Sequence, residues 1–598
     1  MNEIAQGDAP EKGAVGPTES PAPRDPPLTT DGRRIPRWLF MRALGVIHVV
    51  AFGSLWRQLE ALSGSTGVVP AADYVSAVQR AFETRTDLSW MDFPSLALWF
   101  GASDAVLHAM CAAGVTLGLV MVVGFVPRVT ALGLWLLYFS LQLICRPFLN
   151  YQWDILLLET TLMAAIYAPA GLWPRIKGAS EPSPAVVWMM RLLLFKLVLS
   201  SGVVKINSGD VNWRELTALD YHFWTQPIPH QMAWYAHNVP EWIRPIGVWL
   251  NHVIELWVPI LIIFNPRRWL LVGWLVWAGW DISQGVGTSP WDEVAWAVGV
   301  AAILGGRIWP HGVDHSPARW PAAVLIGGLM ASIGFTGNYG FFNVLTVALC
   351  IPLLDDRCIR WVTPFRWRHR WPIETGPKPH PIRRYFVIGA AVLASFFCAI
   401  QMVSLIPRTV RGEVRQAMAN DDARLDQRAL ATMLELHGEA SETFGRLATF
   451  YNYGLFARMT DERFELQIEG SVDQVTWRPY RFHYKPDTPD DPLVFAGLHM
   501  PRMDWQMWFT ALRPQCPSRS DWFNQFLRQI LEGAPAVKGV FAENPFPDTP
   551  PRYVRVKRFR VTFTNSEERA ATGAIWHFEP AGIFCPVRTA GDFRRARR

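Results

Sequence analysis

Long apolar runs recur along this sequence, at about Trp38–Leu55, Ala105–Phe125, Val129–Cys145, Trp153–Ala168, Val186–Val204, Ile243–Phe264, Trp269–Ile282, Val294–Leu304, Pro321–Ile333, Phe341–Leu354 and Tyr385–Ile406. A helix needs about 20 apolar residues to cross about 30 Å of hydrocarbon. In that medium only helices and closed barrels satisfy their own backbone. The pattern therefore predicts a polytopic α-helical membrane bundle of about eleven spans, with the short runs near Val294 and Phe341 re-entrant or tilted. Charge supports this: 18% of the 598 residues are charged, against about 25% in soluble domains. The net charge of +6 then belongs to membrane-flanking loops and does not point to nucleic acid.

Basic residues give the orientation. Placing Arg33, Arg34, Arg37 and Arg42 in the cytoplasm puts Arg128, Arg175, Lys177, Arg267, Arg268, Arg307, Arg319 and the basic run Arg357–Arg384 on the same side. The opposite loops, such as Phe148–Gln152 and Gly285–Ser289, carry almost no Lys or Arg. This predicts a multi-pass protein with a cytoplasmic N-terminus and an extracytoplasmic C-terminal part, facing either a periplasm or the lumen of the endoplasmic reticulum. The expected divisions are a disordered polar tail (1–36), the bundle (37–406), a helical connector (407–445) and an α+β domain (446–598). No cleavable signal peptide is expected, because the first thirty or so residues are polar.

Within the bundle, 201–242 forms an external loop rich in Trp and Tyr, residues suited to a membrane–water boundary. Asp210 is placed to cap a short helix through Tyr221, and Pro227, Pro229 and Pro240 delimit a second. His222, His230 and His237 are spaced by eight and seven residues, unlike the close pairs of zinc sites, so no metal is expected. The candidate docking residues for a client are Trp213, Asp220, Tyr221, His222, Trp224, Trp234 and Tyr235 in the loop, with Asp504, Trp505 and Trp508 in the C-terminal domain.

Ionisable residues inside apolar runs are functional candidates. They are Asp154, Glu159, Arg191, Lys196, Lys205, His252, Glu255 and Asp281. Pairing across helices is one reading. The other is a polar pocket in which Asp154, Glu159 or Lys205 acts on a lipid, quinone or protein substrate. No Gly-rich nucleotide loop, Gly-x-Ser-x-Gly elbow or His-Glu-x-x-His motif occurs.

In the C-terminal domain, Phe464, Leu466 and Ile468 alternate with Glu465, Gln467 and Glu469, which predicts a half-buried strand. A turn at Ser471–Gln474 leads to a partner strand over Arg478–Tyr484. Helices are expected over Asp504–Leu512 and Asp521–Leu531, the second capped by Ser520 and stopped at Gly533. Arg552–Thr564 reads as a basic strand with a bulge between Val556 and Phe559. Of seven Cys, Cys111, Cys145, Cys350, Cys358 and Cys398 lie in or beside apolar runs, while Cys516 and Cys585 could pair if this domain faces an oxidising compartment.

Five stretches carry a resemblance to a known family: YQWDILLLET (Tyr151–Thr160), SGDVNWRELTALDYHFWTQPIPHQMAWYAHNVP (Ser208–Pro240), FYNYGLFARMT with ELQIEGS (Phe450–Ser471), YRFHYKPDTP with HMPRMDWQMWFTAL (Tyr480–Leu512), and NPFPDTPPRYVRVKRFRVTFT (Asn544–Thr564). With these the chain resembles the lipase maturation factors, which in animals are endoplasmic-reticulum membrane proteins. The resemblance implies help in folding or assembling secreted dimeric lipases, with the outward C-terminal domain contacting the client. It implies no catalytic residue and no cofactor. A more distant likeness of helix organisation, to the membrane part of vitamin K-dependent γ-carboxylase and to DoxX-like proteins, accompanies the enzyme reading. Unlike the animal proteins, this chain has no Asn-x-Ser/Thr sequon.

Overall fold

The structure, a computed structural model, describes residues 32–176, 179–263, 319–371, 381–420, 424–445, 451–518 and 521–594. The main helices are α1 (Arg34–Trp56), α2 (Asp104–Val123), α3 (Pro127–Ile144), α4 (Gln152–Tyr167), α5 (Pro184–Asn207), α6 (Ile243–Ile263), α7 (Arg319–Thr336), α8 (Phe342–Cys350) and α9 (Pro381–Gln401). Among the described residues, six helices are long and apolar enough to cross a membrane: α1, α2, α3, α5, α6 and α9, the last counted over Arg384–Leu405. The expected runs Trp269–Ile282 and Val294–Leu304, with Asp281, lie outside the described residues.

Small residues set the tightest helix contact. Gly114 and Gly118 lie one turn apart on α2, and a Cβ built on Gly114 would come within 2.3 Å of the Phe52 ring of α1. Gly118 meets Val49 and the Gly45 carbonyl in the same way. Close backbone approach of this kind drives helix association where lipid removes the hydrophobic incentive. Helix α4 is buried on nearly all faces, Asp154 and Glu159 included. Helix α6 is interrupted by a π-helical turn at Val253–Trp257 that carries Glu255.

The two ends of the bundle differ. At the start of α1, Arg34 pairs with Glu181 at 2.7 Å, and the Arg33 and Ile35 amides donate to Glu181 and Asp356. Loops that the charge pattern places on one side thus meet there. At the far end of α1, the C-terminal domain takes over: the Met500 amide donates to Ser54 and the Arg502 amide to Gln58.

Between bundle and domain run the connector helices α10 (Arg408–Ala419) and α11 (Leu425–Gly445). The domain contains β1 (Phe464–Ser471), β2 (Arg478–Pro479), β3 (Arg481–Phe482), α12 (Arg502–Ala511), α13 (Trp522–Glu532), β4 (Phe541–Glu543), β5 (Tyr553–Phe563) and β6 (Trp576–Arg588). Its antiparallel sheet runs in the order β2-β1-β5-β6, and β3 pairs with β4 in a smaller sheet.

Three expectations need correction here. Strand β1 is not half-solvated: Glu465 and Glu469 are buried, the first against Arg463 (2.5 Å), the second against Arg555 (2.7 Å) and Lys557 (2.9 Å). An alternating charge pattern marks a solvent face only when no base lies opposite. The partner strand over Arg478–Tyr484 splits: Arg478 and Pro479 pair with β1 and the Tyr480 amide donates to the Ile468 carbonyl, after which the chain turns to β4. Ser520 lies outside the described residues, and Asp521 caps α13 by accepting from the Phe523 amide. Gly533 ends that helix at φ 67°. The β5 bulge is present, as register shifts against β6 between Val554 and Phe559. Cys516 and Cys585 form a disulfide that ties the segment between α12 and α13 to β6.

Candidate functional site

The aromatic loop folds as three short helices. The Asp210 carboxylate caps Val211–Arg214 by accepting from the Asn212 and Trp213 amides. Its other oxygen accepts from the Met459 amide of the C-terminal domain at 2.9 Å. The single helix expected through Tyr221 is broken at Leu216, which sits at φ 62°, and resumes as Ala218–Thr225. After Pro227 and Pro229, His230 caps Gln231–His237.

The loop forms the seat of the C-terminal domain. The Trp213 indole donates to the Phe456 carbonyl, and the Trp234 indole to the Thr564 carbonyl, both at 2.9 Å. From the domain side, the Trp508 indole donates back to the Thr225 carbonyl at 2.9 Å. Trp505 packs edge-on against Trp153 of α4 at 4.7 Å. Trp213, His222, Trp224, Trp234, Asp504 and Trp505 are therefore buried under the chain's own surfaces. The sequence marks these side chains as amphipathic but does not show that the chain folds back over them. Asp220 pairs with Arg244 at 2.5 Å, Tyr221 is half-buried, and Tyr235 stays 54% exposed.

The histidines are not poised for charge. Burial holds His222 and His237 down at about 4, and it lowers His230 as well. Among the described residues no three His, Cys, Asp or Glu side chains gather so as to hold a metal ion.

Several buried ion pairs lie in or beside this seat among the described residues. Arg502 makes a two-pronged contact with Asp154 at 2.7 and 2.9 Å and also donates to the Phe148 carbonyl at 2.6 Å. The Tyr138 hydroxyl completes Asp154 at 2.6 Å. Burial works against the Arg502 charge, but Asp154 and Tyr138 outweigh it and raise its pKa. Glu159 accepts from Lys196 and from the Tyr453 hydroxyl, both at 2.5 Å. Lys205 meets Glu255 at 2.5 Å. Arg463 holds Glu465 and donates to the carbonyls of Trp224, Gln226 and Pro227, where the negative end of a short helix points.

Pairing within the bundle holds for Glu159 with Lys196 and for Lys205 with Glu255. Asp154 departs from it, because its base comes from the C-terminal domain. Arg502, Arg463 and Tyr453 escaped the sequence reading. Their one signal was a basic or phenolic residue embedded in otherwise aromatic, buried stretches such as HMPRMDW.

Asp504 tests the electrostatics of the seat. It accepts from the Tyr484 and Lys485 amides, both at 3.0 Å, yet burial raises it from 3.8 to about 6. A folded-state value above the unfolded one means the folded chain takes the proton first. This group's contribution is therefore unfavourable above pH 6 and is relieved as pH falls from 6 towards 3.8. Asp504→Asn is expected to raise the melting temperature at pH 7.5 and to close on wild type near pH 4.5, a difference on the order of 2 kcal/mol. Equal differences at both pH values would refute this.

A helical membrane bundle whose buried acids are partly neutralised by a docked, strand-rich domain defines the class of protein. The chain belongs to the lipase maturation factor family. Its residues 35–283 match the lipase maturation factor transmembrane domain, and 449–586 match the lipase maturation factor C-terminal domain. It is 29% identical to lipase maturation factor 2 of Homo sapiens, over 94% of this chain and 84% of that one. It is 27% identical to lipase maturation factor 1 of Bos taurus, over 93% and 90%, and 26% identical to that of Mus musculus, over 97% and 91%. No solved structure matches the chain significantly.

Proposed function

We propose that this chain is a membrane-bound maturation factor for secreted proteins, lipases among them, and that it holds the client on its outward face without a cofactor or nucleic acid. The observation that carries this is similarity to lipase maturation factors across both domains, in one order and over more than nine-tenths of the chain. The N-terminus is cytoplasmic and the C-terminal domain extracytoplasmic, in a periplasm or the lumen of the endoplasmic reticulum. In favour of this, the arginines cluster at one end of the bundle and the disulfide-bearing domain sits at the other, and disulfides belong to oxidising compartments. The full span count is about eleven. The alternative enzyme reading gains nothing from Asp154, Glu159 and Lys205, each held in an ion pair.

Because Trp213, Trp224 and Trp505 are covered, the client meets the exposed rim around them. Tyr235 on the loop is 54% exposed, and Phe495, whose ring lies 5.1 Å from the His230 ring, is 66% exposed. The test is co-expression with a secreted dimeric lipase in cells lacking their own maturation factor, reading the specific activity of the secreted lipase. Tyr235→Asp with Phe495→Asp is expected to abolish the gain in lipase activity while leaving the factor's melting temperature unchanged. Full lipase activity with the double variant would exclude this rim as the docking face.

A further inference from the structure

A chamber of about 720 Å³ lies between α5, α6, α7 and α8. Its walls are almost wholly apolar, with Leu197, Val248, Leu329 and Phe342 among them, and its size falls in the range of small-molecule sites. Leu250 on α6, with Val324 and Leu325 on α7, line it and are also exposed, so among the described residues the chamber opens on the apolar flank of the bundle.

The polar residues of the wall narrow the choice of occupant. Lys205 and Glu255 line the chamber but neutralise each other at 2.5 Å, and Asn251 donates to the same Glu255 oxygen. No surplus cation is left in this pair for a phosphate. Asn343 also lines the wall and is buried, and its Oδ1 has no hydrogen-bond partner among the described residues. An unsatisfied buried acceptor is costly and calls for a donor. We infer that the chamber binds an uncharged, hydroxyl-bearing membrane lipid of the diacylglycerol class, its chain along the apolar walls and its hydroxyl donating to Asn343.

The test uses the full chain in phosphatidylcholine nanodiscs, photolabelled with diacylglycerol carrying a diazirine in one acyl chain, against phosphatidylcholine bearing the same chain. Diacylglycerol is expected to label buried wall residues such as Leu197 of α5 and Phe342 of α8, and phosphatidylcholine only outward faces, such as Leu119 and Leu132. Gly328 lines the chamber, and a Cβ built on it meets nothing within 4 Å, so Gly328→Trp fills the space. It is expected to remove the chamber labelling. Asn343→Leu should reduce it by about fivefold, the worth of one hydrogen bond. If Gly328→Trp fails to fold, Val324→Trp at the exposed mouth serves the same purpose. Equal labelling of the chamber by both lipids, labelling of outward faces alone, or full chamber labelling in a folded filled variant would each overturn the inference.

Discussion

Arg502→Met is expected to destabilise the chain by about 3–5 kcal/mol, measured as thermal or denaturant unfolding in detergent. The substitution leaves Asp154 fully buried with only the Tyr138 hydroxyl and no countercharge. Most of the effect comes from that stranded carboxylate rather than from the worth of the pair itself. The double variant Arg502→Met with Asp154→Leu is therefore expected to recover most of the loss. Additive losses in the double variant would show that Arg502 acts mainly through the Phe148 carbonyl. The same reasoning warns against truncation at Pro407 as a functional test. Removing the C-terminal domain also removes the partner of Asp154 and the Tyr453 hydroxyl on Glu159, so lost activity would not distinguish docking from collapse of the bundle.

Cys516→Ser is expected to cost about 2–4 kcal/mol under oxidising conditions and nothing under full reduction. The bridge closes a sequence separation of 69 residues, long enough for substantial restriction of the unfolded chain. It also anchors β6, the edge of the four-stranded sheet, whose far side has no neighbouring strand among the described residues. Loss of the bridge should thus appear first as faster amide exchange along Phe584–Arg588. Uniform exchange across the domain, with no added loss in β6, would argue against local anchoring.

Much of the scaffold could be read from residue patterns, and particular elements show where that reading stops. Helices α1, α5 and α9 follow directly from apolar length. Strand β5 and its bulge follow from parity, and the C-terminal end of α13 from its glycine, whereas the N-cap expected at Ser520 falls to Asp521. Strand β6 did not announce itself, because Pro580 and Gly582 within it read as breakers, and an edge position is what tolerates them. The loop's aromatics were recognisable as a surface, but which surface covers them depends on contacts such as Trp234 with Thr564, 330 residues away. The Arg502–Asp154 pair spans 348 residues and leaves no local periodicity to detect.

That separation also orders the biosynthesis of the protein. Asp154 is translated long before Arg502, and of its two described side-chain partners only Tyr138 precedes it. A nascent chain cut within the connector lacks the base that pairs with Asp154 in the folded chain. The order of translation thus makes this contact between bundle and C-terminal domain a late one in the folding of the chain.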